Sequence, residues 1–182
     1  MRIAAAIIAA TVAAAAGPLA SAQPPAPAAA PAPVPEVMPF DIPYGTPIGL
    51  EQAQKAIMAA AAEAKKHNWK MAISVVDPAG NLVAEATMDG TQYASIVIAQ
   101  AKARTAALFR RPTSVFQTGV NGGGPNALSL LALSGGVASE GGFPIVIDGK
   151  LIGAIGSSGG IFTQDAATAK AGLEGLGVKS AG

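Results

Sequence analysis

The sequence predicts an α+β fold, an antiparallel sheet with helices packed against it. Three observations predict it. Asp148-Gly149 separates two apolar runs and is a preferred pair for a two-residue hairpin turn. Asp77-Pro78-Ala79-Gly80-Asn81 separates two further apolar runs and is turn chemistry, with Pro presetting φ and Gly permitting positive φ. Segments with apolar residues at spacings of three and four flank these hairpins, which is helical periodicity.

In chain order, residues 50–67 form the first helix, with Leu50, Ala53, Ile57, Ala61 and Ala64 on one stripe. Lys65, Lys66 and His67 fall in its last turn, where cations suit the carbonyl end of the dipole. Residues 71–76 and 82–88 are the strands of the first hairpin. Residues 93–109 form a second helix, carrying Tyr93, Ile96, Val97, Gln100, Arg104, Ala107 and Leu108 at helical spacing; Pro112 stops it and Thr113 is placed to cap a short turn. Residues 119–142 are glycine-rich and read as a loop with one short helix in the apolar stretch 127–133. Residues 143–147 and 150–157 form the second hairpin. Residues 163–176 form the last helix, with Thr163 as cap and Asp165 in the first turn.

The domain is preceded by two segments of different character. Residues 1–22 have the order of a secretory signal peptide: Arg2, an apolar run, the break Gly17-Pro18, and Ala20-Ser21-Ala22 as small residues at a cleavage site. Residues 23–47 read as a Pro/Ala-rich linker arm, holding nine of the 14 prolines, and each proline fixes φ and removes an amide donor. Phe40, Ile42, Tyr44 and Ile48 are apolar enough to lay the arm's end against the domain or a neighbouring subunit. The domain is then residues 48–182, and its core part of about 130 residues can bury one core. The export pattern implies a periplasmic or secreted protein with no membrane span left after removal of the leader.

Composition removes several classes of function. The chain has 12 basic and 11 acidic residues, and losing Arg2 with the leader leaves 11 against 11. A chain of zero net charge without a basic run has no field for DNA or RNA. With no Cys there is no disulfide, thiolate catalysis or cysteine-held metal cluster. One His does not build a multi-His metal site within one chain. No phosphate-cradling G-x-x-x-x-G-K-[ST] loop and no G-x-S-x-G elbow occurs, and His67 sits among lysines rather than beside a nucleophile. No catalytic constellation is indicated, and the reading is of a binding protein more than an enzyme.

One cluster carries chemistry. Phe109-Arg110-Arg111-Pro112-Thr113-Ser114 puts two guanidinium groups beside a helix stop, with Lys102 and Arg104 on the preceding turns. Cations at a helix C-terminus are common and favourable in themselves. The same pair is also suited to clamp a ligand carboxylate, because a guanidinium makes bidentate contacts.

With these residues in view, the chain resembles the GlcG/HbpS family of small haem-binding proteins. The resemblance rests on Leu50-Glu51-Gln52-Ala53-Gln54-Lys55, on Ser74-Val75-Val76-Asp77-Pro78-Ala79-Gly80-Asn81-Leu82-Val83 and on Met88-Asp89-Gly90. It continues through Ala99-Gln100-Ala101-Lys102-Ala103-Arg104-Thr105 and the Phe109 to Ser114 cluster. It closes with Gly141-Gly142-Phe143-Pro144-Ile145-Val146, Gly153-Ala154-Ile155-Gly156-Ser157-Ser158-Gly159-Gly160 and Gln164-Asp165. Their order and spacing together are specific. The departures are the leader, the arm, and Ile48-Gly49 where relatives usually show a Thr. The resemblance implies a five-stranded antiparallel sheet with flanking helices, somewhat profilin-like, assembled as a homo-oligomer and holding haem.

Haem would need an apolar slot, an axial ligand and cations near its propionates. Arg110, Arg111 and Lys102 are the candidate cations. Phe109, Met88 and residues 127–133 are the candidate walls. For the iron, His67 is chemically the best candidate but its charged setting argues against it; Tyr93, a methionine and the hydroxyl of Thr113, a poor iron ligand, are the alternatives, and no ligand is assigned. The alternatives are an accessory protein or enzyme handling a small carboxylate or corrinoid ligand, and a structural homo-oligomer whose subunits meet through the Arg pair.

Overall fold

A computed structural model describes residues 34–178. The expected leader, residues 1–22, and the first part of the arm lie outside the described residues. A compact unit begins at Val37, and everything below belongs to it.

The elements run α1 (Leu50–Lys66), β1 (Ala72–Val76), β2 (Leu82–Thr87), α2 (Ala94–Phe109), α3 (Ser114–Asn121), α4 (Pro125–Ser134), β3 (Gly142–Ile147), β4 (Lys150–Ser158) and α5 (Phe162–Gly175). The sheet has the order β2-β1-β4-β3, antiparallel throughout. Pro144 sits in β3, an edge strand, where a missing ladder donor is tolerated.

Both predicted hairpins are present, and their turns explain themselves. Asp148 and Gly149 have φ of 52° and 72°, the pair of positive values that a type I′ turn demands. In the other turn the Asp77 carboxylate accepts the amides of Ala79 (2.8 Å) and Asn81 (2.9 Å) and the Asn81 side-chain amide (2.9 Å). Burial alone would raise this carboxyl, but these hydrogen bonds outweigh it and hold Asp77 below the usual carboxylate range.

The sheet carries helices on both faces. On one, Ile73, Val75, Phe143, Ile145 and Ile155 meet Ala53, Ala56, Ile57 and Ala60 of α1 and Ala166, Ala169 and Leu173 of α5. On the other, Val76 and Ala154 meet Ala103, Ala106 and Ala107 of α2. This second contact is built from small residues, so α2 lies close to the sheet. A methyl group at Gly156 would collide with the Ala99 carbonyl and the Ala103 amide. The abundance of alanine is thereby explained: it sets interlayer distance more than it fills volume.

Three expectations are corrected. Among the described residues the sheet has four strands, not five. The nearest approach to a fifth is the arm, where Tyr44 makes a single parallel bridge to Leu151. Leu151 donates to the Pro43 carbonyl (2.8 Å), and Gly45 and Ile48 donate to Leu151 and Ile152 (2.8 and 2.7 Å). Pro43 and Pro47 have no amide to donate, so the ladder does not extend. The one short helix expected at 127–133 is α4, closed by Gly135 at φ 65°, but the short turn expected after Pro112 is a full helix, α3, which runs into the glycine-rich stretch as far as Asn121 before Gly122 to Gly124 join it to α4. Finally, α5 starts before Thr163, with Ile161 as N-cap, and the Gln164 side chain accepts the Ile161 amide (3.0 Å).

Candidate functional site

A cavity of about 570 Å³ opens where β3, α5, the end of α2 and the arm meet. Its volume falls within the range of small-molecule sites. Phe143, Pro144 and Val146 of β3 and Leu173 of α5 line it. Pro112, Val115, Phe40 and Ile42 line it as well. Among these apolar walls stand two cations, Arg110 and Lys170, and one acid, Glu140. The Lys170 ammonium lies 5.4 Å from the Phe143 ring centroid, a cation–π contact. Ser114 and Thr118 add hydroxyls from α3.

The backbone delivers Arg110 to this place. It caps α2 in the left-handed conformation, φ 53°, which glycine normally takes at a helix end. Holding a branched-off side chain there costs on the order of 1 kcal/mol. The turn sends Arg110 and Arg111 off the helix to the arm. Arg110 Nη1 donates to the Ile42 carbonyl (2.9 Å) and the Asp41 carboxylate (3.3 Å), and its guanidinium lies 5.4 Å from the Tyr44 ring centroid. Arg111 lies 4.0 Å from the Phe40 ring centroid and 5.6 Å from that of Phe116. Burial, with the Arg110 charge beside it, lowers the Arg111 guanidinium from its usual value.

Of the five residues predicted to bind a cofactor, the structure brings one to the cavity, Arg110. Arg111 is turned onto Phe40. Phe109 packs edge-on against Phe116, 4.8 Å between centroids, away from the lining. Thr113 is buried, and its hydroxyl accepts the Gly142 amide (3.0 Å), tying the start of α3 to β3. Lys102 is 1% exposed and donates to Asp165 (2.6 Å), whose other oxygen accepts the Gly160 amide (3.0 Å). Burial pushes the Asp165 carboxyl up, and the Lys102 ammonium pulls it back. Lys102 is therefore an interior tie between α2 and α5 and does not line this cavity. It is drawn inside because Ala99, Ala103 and Ala106 of the same helix face lie flat on the sheet.

The proposed walls and iron ligands also disperse. Residues 127–133 do not line the cavity, and Leu128, Leu130 and Leu133 face outward. Met88 packs on the main core beside a separate cleft. His67 is exposed, bonded to Glu63 (3.1 Å) and stacked on Trp69. Tyr93 is 91% exposed at the start of α2. Sequence reasoning missed Lys170, Glu140 and Asp41. The available signal was the apolar spacing of Phe40 and Ile42, which did place the arm against the domain.

An antiparallel sheet between helix layers, with an apolar, cation-bearing cavity at its edge, defines a small α+β protein with a ligand-sized hollow. The chain belongs to the HbpS-like family, described as "Haem degrading protein HbpS-like", whose model matches residues 48–174. It is 43% identical over 109 residues to protein GlcG of Escherichia coli strain K12, covering 59% of this chain and 79% of that one. A crystal structure of a Streptomyces reticuli HbpS double mutant superposes with a TM-score of 0.67 at 30% identity, over 81% of this chain and 98% of that one. A PduOC:heme complex superposes with a TM-score of 0.67 at 25% identity, over 75% of this chain and 98% of that one.

The organic part of haem fits the observed lining: apolar walls for the ring, and Arg110 and Lys170 for its two acid groups. The described lining residues include no His, Met, Tyr or Cys, the side chains that usually ligate haem iron. No iron ligand is assigned.

Proposed function

We propose that this chain is a non-catalytic haem-binding protein, exported to the periplasm or secreted, that holds the ring in the cavity beside β3. The observation that carries the reading is one apolar hollow of about 570 Å³ with Arg110 and Lys170 in its lining. The ring would be desolvated against Phe143, Pro144, Val146 and Leu173. The two cations would take the propionates by charge-assisted hydrogen bonds, which are the strong kind. Membership of the family and the fold shared with a PduOC:heme complex support haem as the ligand. The family's description extends to haem degradation; this reading is confined to holding the ligand, which the walls and cations are suited to do. The pattern of residues 1–22 supports export. The outward-facing leucines of α4 support assembly as a homo-oligomer, which light scattering on the purified protein checks.

Haemin titration followed at the Soret band tests the reading. The wild type is expected to saturate with a shifted band. Arg110→Ala with Lys170→Ala is expected to weaken binding at least tenfold, since a hydrogen bond to a charged group contributes about 1.5–3 kcal/mol. An unshifted wild type, or a double variant that binds as the wild type does, overturns it. Native mass spectrometry of fresh protein distinguishes the rival ligand class, because a retained small carboxylate or corrinoid in place of haem would favour an accessory role.

A further inference from the structure

We infer that the arm is a ligand-displaced strap, and that Asp41 is an internal competitor for the guanidinium that receives the ligand's acid group. The inference deepens the proposed function and rests on it for the place of the ligand.

Three contacts put the strap over the site. Asp41 and the Ile42 carbonyl both accept from Arg110 Nη1, at 3.3 and 2.9 Å. Phe40 covers the Arg111 guanidinium at 4.0 Å. Phe40 and Ile42 are at the same time part of the cavity wall. The strap thus offers the Arg pair a carboxylate, a carbonyl and an aromatic face, the same three kinds of contact that a ring-bearing acid would bring.

The strap is also built to let go. Its downstream end is fixed by the backbone bonds of Pro43, Gly45 and Ile48 to the start of β4. Upstream of Pro43, among the described residues, Val37 to Ile42 make no backbone–backbone hydrogen bond to the domain. They are held by side chains, and the Asp41 carboxylate is 69% exposed. An exposed ion pair of this kind is weak. A ligand carboxylate arriving in a desolvated cavity makes the stronger bond to the same nitrogen. Pro43 marks the hinge: below it the chain is laddered, above it the chain is free to swing. Release uncovers both guanidinium groups together, including Arg111, which the strap otherwise keeps off the ligand.

The test is a double-mutant cycle on haemin affinity in the full chain. Asp41→Asn removes the competing charge and keeps the shape. It is expected to tighten haemin binding about two- to fivefold, the value of an exposed pair. In an Arg110→Ala background the same substitution is expected to change nothing. Phe40→Ala is expected to speed association in stopped-flow mixing. Circular dichroism confirms that each variant is folded. An Asp41→Asn affinity equal to or weaker than wild type, or an equal gain with and without Arg110, overturns the strap while leaving the cavity reading intact. Absence of binding in every variant overturns the cavity reading and the strap with it.

Discussion

Replacing Lys102 by Met is expected to unfold this protein more than it affects any ligand. The ammonium lies 2.6 Å from Asp165 Oδ2, with both side chains almost wholly buried. Without it, Asp165 keeps only the backbone amides of Gly160 (3.0 Å) and Gly159, and no cation. Breaking a buried pair by removing one partner costs about 3–5 kcal/mol, because a charge is left without compensation. For a domain of this size that corresponds to a fall in Tm of roughly 10–20 °C. Removing both charges, as in Lys102→Met with Asp165→Leu, is expected to recover most of the loss, since apolar replacements of buried pairs are often neutral. The deficit depends on pH. Burial already raises the Asp165 carboxyl, and loss of the ammonium raises it further, so the folded state binds a proton that the unfolded state releases. The variant's penalty is therefore smallest near pH 4 and grows as pH climbs through the unfolded carboxyl value of about 4 towards the folded one. Urea unfolding at pH 5 and pH 7 measures it. A loss under about 1 kcal/mol at pH 7, or a double variant as weak as the single one, would refute the reasoning. At temperatures where Lys102→Met remains folded, its haemin affinity is expected to stay within about twofold of wild type. A larger drop would return Lys102 to the ligand site.

Two further outcomes follow from contacts described above. Thr113→Val leaves the buried Gly142 amide without its 3.0 Å acceptor and is expected to cost about 1–3 kcal/mol in urea unfolding, with Thr113→Ser retaining most of the stability. Asp77→Asn should flatten the acid limb of the stability curve: the carboxyl is held below its unfolded value, so its contribution is present above about pH 4 and is lost as pH falls further, which thermal melts between pH 2 and 6 will show.

The amino-acid sequence by itself determined whatever depends on neighbours along the chain. Asp148-Gly149 dictates its turn because two adjacent residues must take positive φ. Asp77 dictates the other because its acceptors and donors lie within four residues of one another. Helical spacing located α1, α2 and α5, and the ordered motifs gave the family. The tertiary structure alone decided the rest, because the deciding contacts join distant parts of the chain. Lys102 reads as a ligand cation beside Arg104 until Asp165, 63 residues later, takes its charge into the interior. The segment after Pro112 reads as a short turn because composition does not reveal that α3 continues to Asn121 before Gly122 ends it. Arg110 and Arg111 read as a pair, yet the left-handed residue at the end of α2 sends one to the cavity and turns the other onto Phe40. The cavity itself draws on the arm, the α2–α3 corner, β3 and α5, and no local pattern states how four such segments will face one hollow.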